Sequence, residues 1–163
     1  MISLNFLEKI EVFQGLDDDE LTAVQACSQE AEFERGDRIF GTDEEPRHLW
    51  AVIEGKVELR QDQPDIPSSQ EDTISTMTET SAFGWSSLVP PLPPFRYKLS
   101  AYCGSRHCKI LKVEKEGLTR LFEEDAKLGY EVMSKIVSIV GRRFDRMREE
   151  IIKKRGQDII NQW

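Results

Sequence analysis

The residues best suited to bind a ligand lie in two short segments, 84–87 and 96–97. A glycine turn followed by two serines offers backbone amides and hydroxyl groups to an anion, above all where a helix begins. An arginine can pair with a phosphate, and aromatic rings can stack on a planar group. Residues of these types can hold a phosphate or a planar group; the alternative is that Ser86 caps a short helix and Trp85 fills the mouth of the barrel. The candidate residues are Gly84, Trp85, Ser86, Ser87, Arg96 and Tyr97.

The sequence gives little support to catalysis. A metal-dependent enzyme needs about three clustered ligands, and the two histidines, His48 and His107, fall in separate predicted hairpins. Ser86 and Ser87 stand outside any Gly-x-Ser-x-Gly elbow. The sequence also lacks a Walker-type glycine-rich loop. We therefore expect a protein that is not an enzyme and has no metal site.

The three cysteines raise the question of a redox role. Cys103, His107 and Cys108 follow the spacing Cys-x3-His-Cys, which matches no common zinc pattern. An odd number of cysteines does not make a secreted disulfide framework. We interpret Cys103 and Cys108 as small buried side chains and His48 as a loop residue. This cysteine usage indicates a reducing, cytoplasmic compartment.

The charge balance narrows the choice of partners. The 163-residue chain has a net charge of −8 and a pI of about 4.9, which disfavours nucleic-acid binding by the whole chain. Residues 142–155 are an exception, with seven Lys or Arg and three Asp or Glu. We interpret them as a solvated helix face, or as a charge pattern for a second subunit or an acidic partner. No apolar run approaches the ~20 residues that span a membrane, and the first residues do not resemble a secretory leader.

The middle of the chain predicts short strands between helices. Asp17 and Glu20 have the spacing of a capping box that starts a second N-terminal helix. From Ala31 onward, short apolar segments alternate with turns, which favours a sandwich or jelly-roll barrel. The segment 61–72 contains two prolines and is predicted to be a surface loop. The predicted strands are 38–40, 49–53, 56–60, 73–77, 97–102 and 109–113.

A long helix is predicted from about Asp125 to about Lys154, because its apolar residues recur every three or four positions. Such a helix is too long for one small barrel to cover, so its exposed part is expected to pair with a second copy. The alternative is that it folds back over its own barrel. We assign residues 1–154 to one domain and 155–163 to a tail without clear periodicity. The predicted dimer residues are Ile136, Val140, Phe144 and Met147.

Three phrases stand in a characteristic order between these helices. They are Arg35-Gly36-Asp37-Arg38-Ile39-Phe40, Leu49-Trp50-Ala51-Val52-Ile53-Glu54-Gly55 and Phe83-Gly84. In this order, the chain from about residue 4 to residue 152 resembles the cyclic-nucleotide-binding domain family, which includes the bacterial catabolite activator and kinase regulatory subunits. The resemblance implies a mainly β fold with flanking helices. The expected architecture is a β-roll, a double-stranded β-helix or jelly roll, with N-terminal helices and a long C-terminal helix.

The resemblance also implies a phosphate cassette with two altered contacts. The family pattern is a glycine, a glutamate that accepts from the ribose, a short helix, and an arginine about ten residues later. Gly84 matches the glycine, but Trp85 stands in the glutamate position and cannot accept a hydrogen bond. Phe95 falls at the arginine's place, with Arg96 next to it. Because neighbouring strand residues face opposite sides, Arg96 is expected to point out of the barrel unless the nearby prolines shift the register.

The function implied by this resemblance is a non-catalytic regulatory or sensor module. Its altered pocket would bind a cyclic nucleotide or another phosphate-bearing ligand and act through the long helix. A hydrogen bond to a charged group contributes about 1.5–3 kcal/mol, so losing both contacts weakens binding by about two to four orders of magnitude. The first alternative is therefore a ligand-free interaction or dimerisation module, and the second is a haem or redox sensor.

The expected partners follow from the same resemblance. The family's transcription factors continue past the long helix into a helix-turn-helix, whereas this chain has about ten residues after it. We therefore expect a homodimer, or a complex with another protein, and no DNA binding by this chain alone. The chain is interpreted as a stand-alone sensor or as a regulatory piece of a longer protein.

Overall fold

The computed structural model describes residues 1–88 and 96–161 as two antiparallel sheets flanked by helices. The first sheet has the strand order β1-β8-β3-β6 and the second has the order β2-β7-β4-β5. This is the mainly β roll with flanking helices that the sequence predicts. The helices are α1 (Leu4–Lys9), α2 (Asp18–Ala26), α3 (Lys115–Glu124) and α4 (Ala126–Asn161). The strands are β1 (Ser28–Glu34), β2 (Arg38–Phe40), β3 (His48–Glu54), β4 (Val57–Arg60), β5 (Thr73–Met77), β6 (Ala82–Phe83), β7 (Ser100–Cys103) and β8 (His107–Glu114).

The start of α2 has the predicted capping box. The Asp17 carboxylate accepts from the Glu20 amide at 2.9 Å, and the Glu20 carboxylate accepts from the Asp17 amide at 2.8 Å. Strand β1 follows almost directly and begins at Ser28, three residues before the change expected at Ala31. The start of this strand was difficult to predict from the sequence, because three of its seven residues are glutamates and only Ala31 and Phe33 turn apolar side chains inward.

Strand β3 separates the two parts of the hydrophobic core. Leu49 and Ala51 pack with the helices on the outer side of the first sheet. Trp50 and Val52 point the other way and pack between the two sheets. This is the two-residue alternation of a strand whose faces are both buried. The roll therefore has an interior between its sheets and a separate helical core outside them.

The segment 61–72 is largely exposed, in agreement with the predicted surface loop, but it covers a buried ion pair. Glu58 and Arg60 lie on the outer face of the second sheet, with 2.6 Å between Arg60 Nη2 and Glu58 Oε2. Arg60 also donates to the Ser68 carbonyl, and Gln70 donates to Glu58. These contacts hold the segment against the sheet, because a buried charge is costly unless it is paired.

Helix α4 corrects two expectations. It continues to Asn161, so residues 155–161 are helical and not a tail. Lys, Arg and Gln are good helix formers, and this lets the helix persist where the apolar periodicity ends. Ile136 is buried in the domain's own core together with Leu128, Val132 and Ile139, so it is not available to a second copy. None of the described helices has the length and apolar character needed to cross a membrane.

Candidate functional site

The turn at Gly84 joins β6 to a short 3₁₀ turn at Trp85–Leu88. Gly84 has a φ of +71°, in the left-handed region that glycine adopts without strain. A Cβ added there would lie 2.6 Å from Cδ1 of Trp50. Both the backbone conformation and the space therefore require glycine. The Trp50 indole lies directly against the turn at which the family resemblance places a phosphate.

Four aromatic side chains, here called the aromatic plug, occupy the interior of the roll beside this turn: Phe40, Trp50, Phe83 and Tyr97. Each is at most 6% exposed. The Phe40 and Tyr97 rings stack with 3.9 Å between centroids. Trp50 Nε1 donates to the Tyr97 hydroxyl at 3.2 Å, and that hydroxyl donates to the His48 carbonyl at 3.2 Å. Both polar side-chain atoms of the plug thus have a hydrogen-bond partner.

Tyr97 is held in the plug by its backbone as well as its ring. Its amide donates to the Glu44 carbonyl, and its carbonyl accepts from the Asp43 amide, both at 3.1 Å. Burial raises the pKa of the Tyr97 hydroxyl, which keeps it a neutral donor. Arg96 is exposed, as expected, and does not reach the interior, but the predicted strand 97–102 is wrong at its start, because β7 begins at Ser100. Phe95 and the neighbouring prolines lie outside the described residues.

Trp85 does not offer a stacking face to the interior. Its side chain is 36% exposed and turns toward the helical side of the first sheet. There it lines a small apolar cavity with Val12, Leu49, Ala82, Ile136 and Ile139. The residue in the glutamate position of the cassette thus faces a cavity shared with α4, which neither the periodicity nor the resemblance indicated.

The two serines differ in their surroundings. Ser86 is half-buried, whereas Ser87 is buried and its amide donates to the Gly84 carbonyl at 3.1 Å. The Ser87 hydroxyl has no hydrogen-bond partner in the part of the chain that the structure describes. Of the six candidate residues, the structure brings Gly84 and Tyr97 together around Trp50.

His48 lies at the rim of the plug, as the first residue of β3 and not in a loop. Its ring centroid is 5.1 Å from that of Trp50. Burial, with a further contribution from the Lys112 charge, lowers the pKa of His48. The imidazole is therefore held neutral beside the indole at neutral pH.

Cys103 and Cys108 form a disulfide, with 5.9 Å between their Cα atoms. The interpretation of both as small buried side chains is correct, but it did not include the bond between them. Adjacent ends of β7 and β8 bring the two residues together across a hairpin turn, which the five-residue separation alone did not establish. Neither sulfur can serve as a haem ligand while they are bonded. Cys27 is a free, half-buried thiol.

Sequence reasoning missed the three plug residues that precede Tyr97, namely Phe40, Trp50 and Phe83. A run such as 49–53 is apolar at every position, so it does not tell which residues face the interior. The signal that could have found Trp50 is the two-residue spacing of His48, Trp50 and Val52, because alternate side chains of a strand lie on one face.

The fold and the Gly84 turn define a domain of the cyclic-nucleotide-binding class. The sequence model of the cyclic nucleotide-binding domain family matches residues 30–125. That match covers more than half of the chain, and the chain belongs to this family. At this level, the predicted class of a regulatory or sensor domain is confirmed.

Individual relatives agree with this assignment. The chain is 29% identical over 87 residues to the CRP-like cAMP-activated global transcriptional regulator of Mycobacterium tuberculosis. The match covers 53% of this chain and 38% of that relative, so the chain spans well under half the length of the curated relative.

Solved structures show the same fold. A crystal structure from Geobacter metallireducens, provisionally described as a cyclic nucleotide-binding protein, has a TM-score of 0.73 and 26% identity. That match covers 88% of this chain and 99% of the Geobacter chain. The sensor domain of the transcriptional regulator DNR from Pseudomonas aeruginosa has a TM-score of 0.68 and 17% identity, with 86% and 90% covered. At that identity the likeness concerns the fold alone.

Proposed function

We propose that this chain is a non-catalytic regulatory domain that holds its aromatic plug where relatives hold a ligand and assembles through α4. The observation that carries the proposal is the contact between the Trp50 indole and Gly84, with Tyr97 bonded to Trp50 behind it. A cyclic nucleotide could enter this space only if both rings moved out.

The charged contacts expected of the cassette are also missing from this space. Trp85 supplies no acceptor and turns toward α4, and Arg96 is exposed. Each such contact contributes about 1.5–3 kcal/mol. Together with the displaced rings, their loss moves cyclic-nucleotide affinity out of the micromolar range.

Assembly through α4 is supported by a seven-residue repeat of apolar residues. Its members follow the alternating spacing of three and four that is typical of coiled coils. We call this set the heptad face: Tyr130, Met133, Val137, Val140, Phe144, Met147 and Ile151. Val140, Phe144 and Met147 belong to the predicted dimer residues, and Val137, which is exposed, takes the place of Ile136. Met133 and Val140 are half-buried against the domain's own core, so the exposed part of the face begins in full at Phe144.

The occupant of the heptad face is proposed to be a second copy of this chain. A self-pairing coiled coil needs the same apolar repeat on both helices, and one sequence supplies it twice. Residues 144–158 are all exposed and extend the helix by about 20 Å. A cytoplasmic location remains part of the proposal, and the Cys103–Cys108 disulfide is the feature that speaks against it.

Thermal denaturation with and without ligand tests the plug. A ligand with a Kd of 10 µM, present at 1 mM, would add about 2.7 kcal/mol of stability, or about 5–10 °C in Tm for a domain of this size. We expect shifts below about 1 °C for cAMP, cGMP and cyclic dinucleotides, and no saturable heat in calorimetry.

The same titration separates the alternatives. Saturable binding of any cyclic nucleotide would overturn the ligand-free proposal. Stabilisation by inorganic phosphate that Ser87→Ala removes and Ser86→Ala preserves would instead support an anion site at the Gly84 turn.

A further inference from the structure

A group of ionic hydrogen bonds ties α4 to the strand that leads into the Gly84 turn. Arg143 Nη2 donates to the Ala82 carbonyl at 2.6 Å and to Glu11 Oε1 at 2.9 Å. The same Glu11 oxygen accepts from the Ala82 amide at 2.8 Å. Glu11 and Arg143 therefore bind both backbone polar groups of one residue in β6, and they bind each other.

Glu11 is itself bound to the turn that connects β5 to β6. Its backbone amide donates to the Thr80 carbonyl at 3.1 Å. Two segments distant in sequence, residue 11 and residues 80–82, thus form one hydrogen-bonded unit that receives the guanidinium. Ala82 is two residues before Gly84, so this unit is contiguous with the turn.

Arg143 lies where α4 leaves the domain. Up to Asp158 it is the last residue of α4 that is not exposed, because every side chain from Phe144 to Asp158 is exposed. The Arg143 side chain is 27% exposed, whereas Arg142, which reaches Glu11 at 3.4 Å, is 69% exposed. Burial lowers the pKa of Arg143. A partly buried pair of this kind constrains geometry more than a solvated one does.

A small apolar cavity lies between the same two elements. Trp85, on the other side of the Gly84 turn, lines the small cavity with Ile136 and Ile139 of α4. The turn is therefore held to the helix by the charge-assisted hydrogen bond from Arg143 to the Ala82 carbonyl, and on its other side Trp85 and α4 share the lining of one apolar cavity.

We infer that Glu11 and Arg143 are a positioning pair that sets the direction in which the distal half of α4 leaves the domain and couples this direction to the Gly84 turn. The inference deepens the proposed function and rests on it only for its consequence, namely that the two heptad faces meet. The direction of the helix is a property of one chain and can be measured in a monomer.

The experiment measures that direction by electron paramagnetic resonance. Nitroxide labels are placed at Ile74→Cys in β5 and Asp158→Cys in α4, with Cys27→Ser to remove the free thiol and Phe144→Asp to keep the chain monomeric. We expect one narrow distance distribution. Arg143→Gln and Glu11→Gln should each broaden it at least twofold, with circular dichroism showing an intact fold.

Arg146→Gln is the matched control, because it removes the same charge three residues further along the exposed helix. It should leave the distribution narrow. Hydrogen exchange gives the coupling readout: Glu11→Ala, which removes the acceptor of the Ala82 amide, should speed exchange of that amide at least tenfold, and Arg143→Gln should speed exchange in the Gly84 turn.

Unchanged width in Arg143→Gln, or equal broadening in Arg146→Gln, would overturn the inference. Broadening without faster exchange in the turn would overturn the coupling. A wild-type chain that fails to dimerise would refute the proposed assembly, while the monomer measurement would still decide the role of Arg143.

Discussion

The interior of the roll and the distal half of α4 contain the same kinds of side chain in opposite situations. The four residues of the aromatic plug are at most 6% exposed. Phe144 and Ile152 of the distal helix are 61% exposed, and Met147 is 49% exposed. One region has used its apolar surface within the chain, and the other still presents it.

This difference shows where binding free energy remains available. Burying one large apolar side chain contributes about 1.5–3 kcal/mol. In the plug, folding has already gained that free energy, so a ligand would have to displace buried rings and lose it. On the distal helix, a second copy would gain it by association. The comparison therefore moves the expected interaction from the pocket to the helix.

The largest expected effect separates the two tryptophans on either side of the first sheet. Trp50→Ala should lower the free energy of unfolding by about 3–5 kcal/mol, because it leaves a cavity in the plug. Trp85→Ala should cost about 1 kcal/mol or less, since much of that ring is in water. Urea denaturation of both variants measures the difference, and equal losses would contradict the comparison.

The next prediction concerns the distal helix. Phe144→Asp should weaken dimerisation by at least about 100-fold, because association would bury an unpaired charge. Ser138→Asp adds the same charge on an exposed position beside the heptad face and should have little effect. Sedimentation equilibrium measures both. A wild-type chain that is monomeric at micromolar concentration would contradict the claim that the distal half of α4 binds a second copy.

The third prediction concerns the contribution of the disulfide to the stability of the roll. In the chain-entropy account, a bridge closing a loop of about six residues contributes about 2 kcal/mol. Reduction of Cys103–Cys108 should therefore lower the free energy of unfolding by about that amount and leave the dimer intact. Thiol titration of the denatured, unreduced protein should find one thiol, Cys27. Three thiols would show that the bond is not formed.

The smallest effect is the pH dependence at the rim of the plug. The folded-state pKa of His48 is lowered, so protonation is harder in the folded than in the unfolded chain. The contribution of the neutral His48 imidazole to the free energy of unfolding is present above about pH 6.5 and is lost as the pH falls through the folded-state pKa. Stability should therefore decline on acidification, less steeply in His48→Gln. An imidazole resonance titrating above pH 6.5 would contradict this prediction.

Much of the fold could be predicted because its determinants are local. The capping box at Asp17 and Glu20 and the turns at Gly36 and Gly55 depend on neighbouring residues, and both glycines have the positive φ that such turns need. Strand β1 was harder to place, because glutamates alternate with only a few inward residues. The end of α4 was misplaced because charged residues continue a helix without any apolar period.

The site was predicted less well because its geometry depends on distant residues. Trp85 faces a cavity that is lined in part by Ile136 and Ile139, more than 50 residues later in the chain. That Trp50 lies against Gly84 depends on β3 and β6 pairing in one register. Arg96 is exposed as predicted, but strand alternation is not the reason, because residues 96–99 precede β7 and lie outside any strand.

The contact between Gly84 and Trp50 also limits how the sequence can change. To open space at this turn, Trp50 must become smaller, and Tyr97 then loses its hydrogen-bond donor. An acceptor near residue 85 and an inward cation would still have to be added before a nucleotide gained any affinity. The first replacements therefore cost stability without adding function, in a class of molecules stable by only about 5–15 kcal/mol. The first replacement toward a nucleotide pocket lowers the free energy of unfolding and adds no affinity. Selection on single replacements therefore preserves the filled interior.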